Sequence, residues 1–319
     1  MRATSLYPLR FEPIYRYRLW GGRRLANLLS APLPQDEPVG EAWILSDRDE
    51  AASRVADGPL KGHTIAELLA QSPQQMLGAS SVHFTRFPLL LKFLDVKERL
   101  SVQVHPAGKT EAWVVLEAGP AARVFAGLKP QTTAAGLRHA IAAGTVADRL
   151  AGFTPKPGDA IFIPAGTVHS ARDIVVFEVQ QNSDVTLRLY DWEQRDVRTG
   201  AARPLQVEQA LSCIDFEQGA VIPLVPIVTE TQPMVRESLF RCPQFRVTRI
   251  GGQAAFIAGA TQAPHVLVCL VGEGLIDYGG TSYPFRAGDA VLLAPAVGAC
   301  HCRPRGTVTL LEISLPDIS

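Results

Sequence analysis

The sequence predicts a mainly β chain built from two related barrels, and three observations carry that prediction. Apolar runs of strand length, bounded by turn residues, dominate from residue 87 onward. Turn formers are abundant: 26 Gly and 24 Pro in 319 residues favour short strands over long helices. One strand–turn–strand unit also occurs twice. Its first copy is Pro157-Gly158-Asp159-Ala160, apolar residues, then Pro164, Gly166 and His169; its second is Ala287-Gly288-Asp289-Ala290, apolar residues, then Pro295, Gly298 and His301. The copies lie ~130 residues apart, the domain-sized separation expected of a duplicated architecture.

Taken in order, three segments read as helical. In 64–78, Thr64 and Glu67 form a capping-box pair ahead of Leu68 and Leu69. In 133–153, Leu137, Ile141, Val146 and Leu150 supply an apolar stripe, and in 205–216 Val207, Ala210, Leu211 and Ile214 recur at helical spacing. Strands are expected at 87–94, 99–105, 112–116, 160–164, 175–180 and 186–192. The last third repeats the texture at 245–250, 265–271, 282–285, 290–294 and 307–315. The proline-punctuated stretch 221–235 has no strong periodicity and reads as the crossover between two β domains. The chain then divides into 1–225, a catalytic barrel with accessory helices, and 226–319, a second barrel.

Composition narrows the function. Lys plus Arg equals Asp plus Glu at 31 each, so no global field draws the chain to nucleic acid or to an anionic membrane. No apolar run approaches the ~20 residues that span a bilayer, and the N-terminal stretch lacks the apolar centre of a signal peptide. The five cysteines are odd in number and all lie beyond residue 212, which argues against a disulfide framework. A cytoplasmic protein of a reducing compartment is expected.

The chemistry concentrates in two segments. In Ser101-Val102-Gln103-Val104-His105, strand alternation puts Ser101, Gln103 and His105 on one face and the valines on the other. The turn Pro106-Ala107-Gly108 and Lys109-Thr110 lead to Glu111, which a hairpin would bring back beside His105. His169 closes the separate unit GDAIFIPAGTVH. Imidazole, carboxylate and amide oxygen without thiolate suit Zn, Mn, Fe or Co. Two His, one Glu and a weaker Gln leave a position open for water or substrate.

GDAIFIPAGTVH matches the second cupin motif at Gly158, Pro164, Gly166 and His169, and QVHPAGKTEAWVVLEAG resembles the first, with Gln103 in place of its first His, then His105, Glu111 and Gly119. The double cupin is therefore the implied fold. The finer resemblance is to the type I mannose-6-phosphate isomerases, in particular their short bacterial form. It rests on RLWGG at 18–22, GEAWILSDR at 40–48, FPLLLKFLDVKERLSVQVHP at 87–106, GKTEAW at 108–113, IPAGTVH at 163–169 and QQNSDVTLRLYDW at 180–192. The resemblance implies one Zn2+ per chain on Gln103, His105, Glu111 and His169, with other divalent ions possible. It also implies an active-site arginine at Arg188, a catalytic lysine at Lys109, and pocket positions at Trp20 and Asp184. The substrates implied are mannose 6-phosphate and fructose 6-phosphate, handled by a monomer or homodimer. One departure stands out: members carry a longer segment between the HP and GKTE sequences, and here only Ala107 intervenes.

Aldose–ketose interconversion moves a proton between adjacent carbons, and a divalent ion near O1 and O2 stabilises the cis-enediolate. Lys109 and Asp184 are rival bases. Arg188 would hold the enediolate or the phosphate, or simply pair with Asp191 or Glu193. No GxxxxGK[ST] or GxGxxG is present, so the phosphate must meet scattered groups, Lys92 and Ser101 among them. The second barrel keeps His265 and His301 without a matching carboxylate set. In Cys300-His301-Cys302 the thiols point away from the imidazole, which favours a structural or dimer contact. A sugar-phosphate-binding cupin that lost turnover with its loop is the rival from another class, and an iron dioxygenase leaves the KTE and SDVTLR segments unexplained.

Overall fold

A computed structural model describes residues 5–35 and 37–316, so the first four residues of the N-terminal stretch lie outside it. The chain is mainly β, as expected, and every strand pairing among the described residues is antiparallel. A nine-stranded sheet forms the first barrel. Its main path runs Ala160–Ile163, Glu111–Leu128, His169–Gln181, Leu89–Val96, Ile14–Gly22 and Val39–Leu45, with Val102–Val104, Leu187–Tyr190 and Leu150–Phe153 attached at its side. The second barrel combines a seven-stranded sheet and a four-stranded sheet, Phe256–Ala258, Cys300–Pro304, Glu273–Tyr278 and Thr281–Arg286. The seven-stranded sheet begins with Leu9–Arg10, which lies beside Ala290–Leu293, so the start of the chain closes the edge of the last barrel. One contiguous apolar cluster joins the two, holding Phe93 and Phe177 of the first sheet with Leu267 and Leu292 of the second. No helix among the described residues is long and apolar enough to cross a membrane.

The helical segments form in part. Thr64 caps Ile65–Gln71 through the expected reciprocal box: Glu67 N–H donates to Thr64 Oγ1 at 3.1 Å, and Thr64 N–H donates to Glu67 Oε2 at 2.8 Å. The helix stops at Ser72, and Pro73 opens a second one, Pro73–Leu77, because proline suits a first turn but not a helix interior. The segment 133–153 is not one helix. Ala134–Ala142 ends before Gly144, which sits at φ +69°, and the rest is a 3-10 turn, Val146–Arg149, followed by the strand Leu150–Phe153. The third segment yields Val207–Cys213.

Two strands depart from expectation in opposite ways. The segment 99–105 contributes only Val102–Val104, whereas 112–116 extends into the 18-residue strand Glu111–Leu128. That strand passes straight through Gly119-Pro120. Proline offers no ladder N–H, and the register with His169–Gln181 slips there, between Arg172 and Ile174. Asp173 takes φ +53° at the slip, and its carboxylate accepts the Ala121 N–H at 3.0 Å. The crossover 221–235 is not wholly irregular, since Ile227–Glu230 pairs with Val235–Arg241.

Candidate metal centre

Neighbouring strands of the first sheet deliver the functional side chains. His169 opens the strand His169–Gln181 directly opposite Gln103, while Glu111 opens Glu111–Leu128 opposite Gln180. His105 follows Val102–Val104, and its carbonyl accepts the Gly166 N–H at 2.9 Å, which ties the two motif segments together. Gly166 sits at φ +87° in that approach, a conformation that favours glycine. The short turn between His105 and Glu111 is braced on both sides. Thr110 N–H donates to Gln181 Oε1 at 3.0 Å, and Thr110 Oγ1 accepts the Ala165 N–H at 3.3 Å.

The result is a buried meeting of acceptors. His105 Nε2 lies 3.1 Å from Glu111 Oε2, His169 Nε2 lies 3.4 Å from Glu111 Oε1, and the ligand-type atoms of the three residues all fall within 4.8 Å of one another. Each imidazole turns its other nitrogen to a backbone carbonyl: His105 Nδ1 to Val185 O and His169 Nδ1 to Thr167 O, both at 3.0 Å. A carbonyl only accepts, so both Nδ1 atoms carry the proton and both Nε2 atoms offer lone pairs inward. Burial pushes His105 down to about 3, against the pull of Glu111, and lowers His169 as well, so both rings are neutral at neutral pH. Burial alone would raise Glu111, but positive charge close to it, with the Lys109 ammonium 3.9 Å from Oε2, holds it below the ordinary carboxylate range. Glu111 Oε1 has no hydrogen-bond donor at all. Two lone pairs and a carboxylate facing each other with no proton between them are the surroundings of a cation.

Gln103 completes the row. Its Nε2 lies 3.0 Å from His169 Nε2, and its Oε1 accepts from Ser101 Oγ at 3.0 Å. Lys109 is buried, with Nζ 3.9 Å from Glu111 Oε2, and desolvation lowers its pKa against the opposing pull of Glu111.

A cavity of about 420 Å³ opens from this centre, and its lining includes Trp20, Lys92, Asp184 and Arg188. Trp20 is a buried wall, and Asp184 is exposed at the rim. Ser101 is not part of the lining; its hydroxyl is engaged by Gln103. Lys92 is ion-paired with two carboxylates. Its Nζ lies 2.9 Å from Glu178 Oε1 and 4.0 Å from Glu41 Oε2, and although burial opposes its charge, the two carboxylates raise it above the usual lysine range. Arg188 does not pair with Asp191, which is taken by Arg203. Its Nε is buried without a partner, and burial and the neighbouring Arg203 lower its pKa.

Sequence reasoning missed Glu41, Glu178 and Arg203. Glu41 receives both arms of Arg18 at 2.8 and 3.1 Å and the indole N–H of Trp43 at 2.6 Å; Glu178 receives that of Trp113 at 2.9 Å. Their signal was present as single charges inside apolar strands, GEAWIL and FEVQQ, since a charge in a run buried on both faces needs a partner or a task.

The family model for the catalytic domain of type I phosphomannose isomerase matches residues 9–127. The mannose-6-phosphate isomerase of Bacillus subtilis (strain 168) is 32% identical over 312 residues, covering 91% of this chain and 94% of that protein. The crystal structure of the mannose 6-phosphate isomerase from Bacillus subtilis superposes with a TM-score of 0.88 at 27% identity, covering 97% of this chain and 99% of that one. A zinc-bound holo mannose 6-phosphate isomerase shares the fold at a TM-score of 0.77 and 14% identity, over 97% of this chain and 99% of that one.

Proposed function

This chain belongs to the type I phosphomannose isomerase family, and from that membership we propose that the centre at His105, Glu111 and His169 is where it interconverts mannose 6-phosphate and fructose 6-phosphate. The reaction is an aldose–ketose isomerisation through a cis-enediol(ate). The observation that carries the assignment of the centre is the convergence of two imidazole Nε2 atoms on a buried carboxylate whose Oε1 has no hydrogen-bond partner. The rival reading, a binding protein without turnover, is not favoured, because relatives that match the chain nearly end to end are isomerases.

His105, Glu111 and His169 would hold one divalent ion, zinc by likeness to the zinc-bound relative, with Gln103 as fourth ligand. Ligation by Gln103 turns its amide over, so that Oε1 faces the imidazoles and Nε2 donates to Ser101 Oγ. When bound, the ion supplies Lewis acidity toward the oxygens on C1 and C2 of the sugar. Lys109 is the acid–base group this reading favours, because desolvation brings its ammonium toward the range where both protonation states are accessible. Asp184, on the rim, is the second candidate. Trp20 offers an apolar wall to the sugar, and Lys92 bridges Glu41 and Glu178 in the same cavity lining.

A coupled assay for fructose 6-phosphate tests the reading. Turnover should vanish with a chelator and return with zinc, manganese or cobalt; turnover indifferent to chelation, or absent from the metal-loaded protein, would overturn it. The same reading takes in a cytoplasmic monomer or homodimer, in keeping with five unpaired cysteines. It also takes in a division near residues 225 and 226, supported by the strands from Ile227 onward pairing among themselves and with Leu9–Arg10.

A further inference from the structure

Of the two candidates for the phosphate expected from the sequence, Lys92 is paired with two carboxylates and Ser101 lies outside the cavity lining. A sugar phosphate nonetheless carries a dianion that must be met away from the reacting carbons. Lys109 sits at the metal centre and Arg18 gives its Nε and Nη2 to Glu41, which leaves two more cations in the lining of the same cavity. Arg188 has no carboxylate within ion-pair distance among the described residues, and its Nε is buried without a partner. Arg203 is gripped side-on by Asp191: its Nε donates to Asp191 Oδ2 at 2.8 Å and its Nη2 to Asp191 Oδ1, which leaves the Nη1 edge unspent. The pairing fixes where that edge points, as a fork must be fixed to recognise phosphate bidentately.

Their placement relative to the ion site follows from the sheet. Arg188 on Leu187–Tyr190 lies opposite Gln103 on Val102–Val104, and Gln103 lies opposite His169. The three side chains form one row on one face, and two strand spacings separate its ends by about 10 Å at the backbone. An open-chain hexose 6-phosphate has the same polarity, with C1 and C2 at one end and the phosphate on C6 at the other. We propose that Arg188 and Arg203 form the phosphate subsite, with Arg203 as the residue that distinguishes a phosphorylated hexose from a free one.

The proposal rests on the isomerase reading for its substrate, but inorganic phosphate tests it without turnover. Titrating inorganic phosphate into the metal-loaded protein by calorimetry should give binding that Arg203→Gln and Arg188→Gln each weaken by roughly tenfold or more. In the coupled assay, Arg203→Gln should raise KM for mannose 6-phosphate by a like factor, with most of the loss in KM and not in kcat. Arg203→Lys should recover part of it, since charge returns without the fork. Should Arg203→Gln lose its melting transition, Arg203→Lys carries the test and must still show a raised KM. An unchanged KM with unchanged phosphate affinity, or a loss confined to kcat, overturns the subsite. Arginine-dependent phosphate binding in a protein without isomerase activity would overturn the isomerase reading and leave the subsite standing.

Discussion

The two barrels build the same turn and reach opposite ends with it. Gly158 sits at φ +92° and Gly288 at +88°. Asp159 Oδ2 accepts the Lys156 N–H at 2.8 Å, and Asp289 Oδ2 accepts the Arg286 N–H at 3.0 Å. Gly158 N–H donates to Val115 O at 2.8 Å, and Gly288 N–H to Cys269 O at 2.9 Å. Past the turn the copies part. His169 is the first residue of its strand and is buried, whereas His301 is the second residue of its strand and is exposed, between buried Cys300 and Cys302. A strand alternates faces residue by residue, so a change of one position in phase turns the imidazole from the barrel interior to solvent. The thiols take the interior instead, and burial raises both of them, Cys302 up to about 12.

The carboxylates differ as much. Glu312 of the second barrel accepts from the Gly259 N–H at 3.0 Å, His265 Nδ1 at 2.8 Å and Arg236 Nη1 at 3.0 Å. Its lone pairs are met by donors, so a His–Glu pair there calls for no cation, while Glu111 faces imidazole lone pairs that do.

The largest test of this contrast is to delete one imidazole from each barrel. His169→Ala should remove bound ion and at least about a thousandfold of turnover, read by metal analysis and the coupled assay, while His265→Ala should keep both. Acid should also find the first barrel. The folded-state pKa of His105 is about 3, below its ordinary value of 6.5. As pH falls below 6.5 the unfolded chain takes a proton that the folded chain refuses until about 3, so the ion-free protein loses stability across that window, by on the order of a few kcal/mol. Denaturant titrations of chelated protein from neutral pH to pH 4 would register the loss, and His105→Ala should flatten it. Glu312→Ala should cost about 2 kcal/mol by leaving the Gly259 N–H and His265 Nδ1 without their acceptor and taking one of the two carboxylates from Arg236, seen as a lower melting temperature with bound ion unchanged. His301→Ala, at the surface, should stay within about 0.5 kcal/mol of the parent; a measurable loss of bound ion would break the phase argument.

Much of this was legible in the sequence because it is local. The Thr64 cap, the alternation of Gln103 and His105 against two valines, and the repeated Gly-Asp turn are each set within a few residues. What stayed hidden depends on a distant partner. The strand expected over 112–116 continues through Gly119-Pro120 because Asp173, far along the chain, takes the N–H that follows the proline. Lys92 reads as a group for the phosphate until Glu41 and Glu178 arrive from two other strands. Arg203 lies in a loop with no periodicity, and only its ion pair with Asp191 fixes its aim into the cavity.

The pairing of Leu9–Arg10 with Ala290–Leu293 also sets an order of assembly. The ribosome makes that N-terminal strand first, and its partner emerges only after ~280 further residues. Until then the segment waits, and the edge it will cover on the second barrel has yet to be made. A fragment beginning at residue 226 would therefore carry an open strand edge ready to pair with another molecule, and a peptide spanning residues 5–13, supplied separately, should compete for that edge.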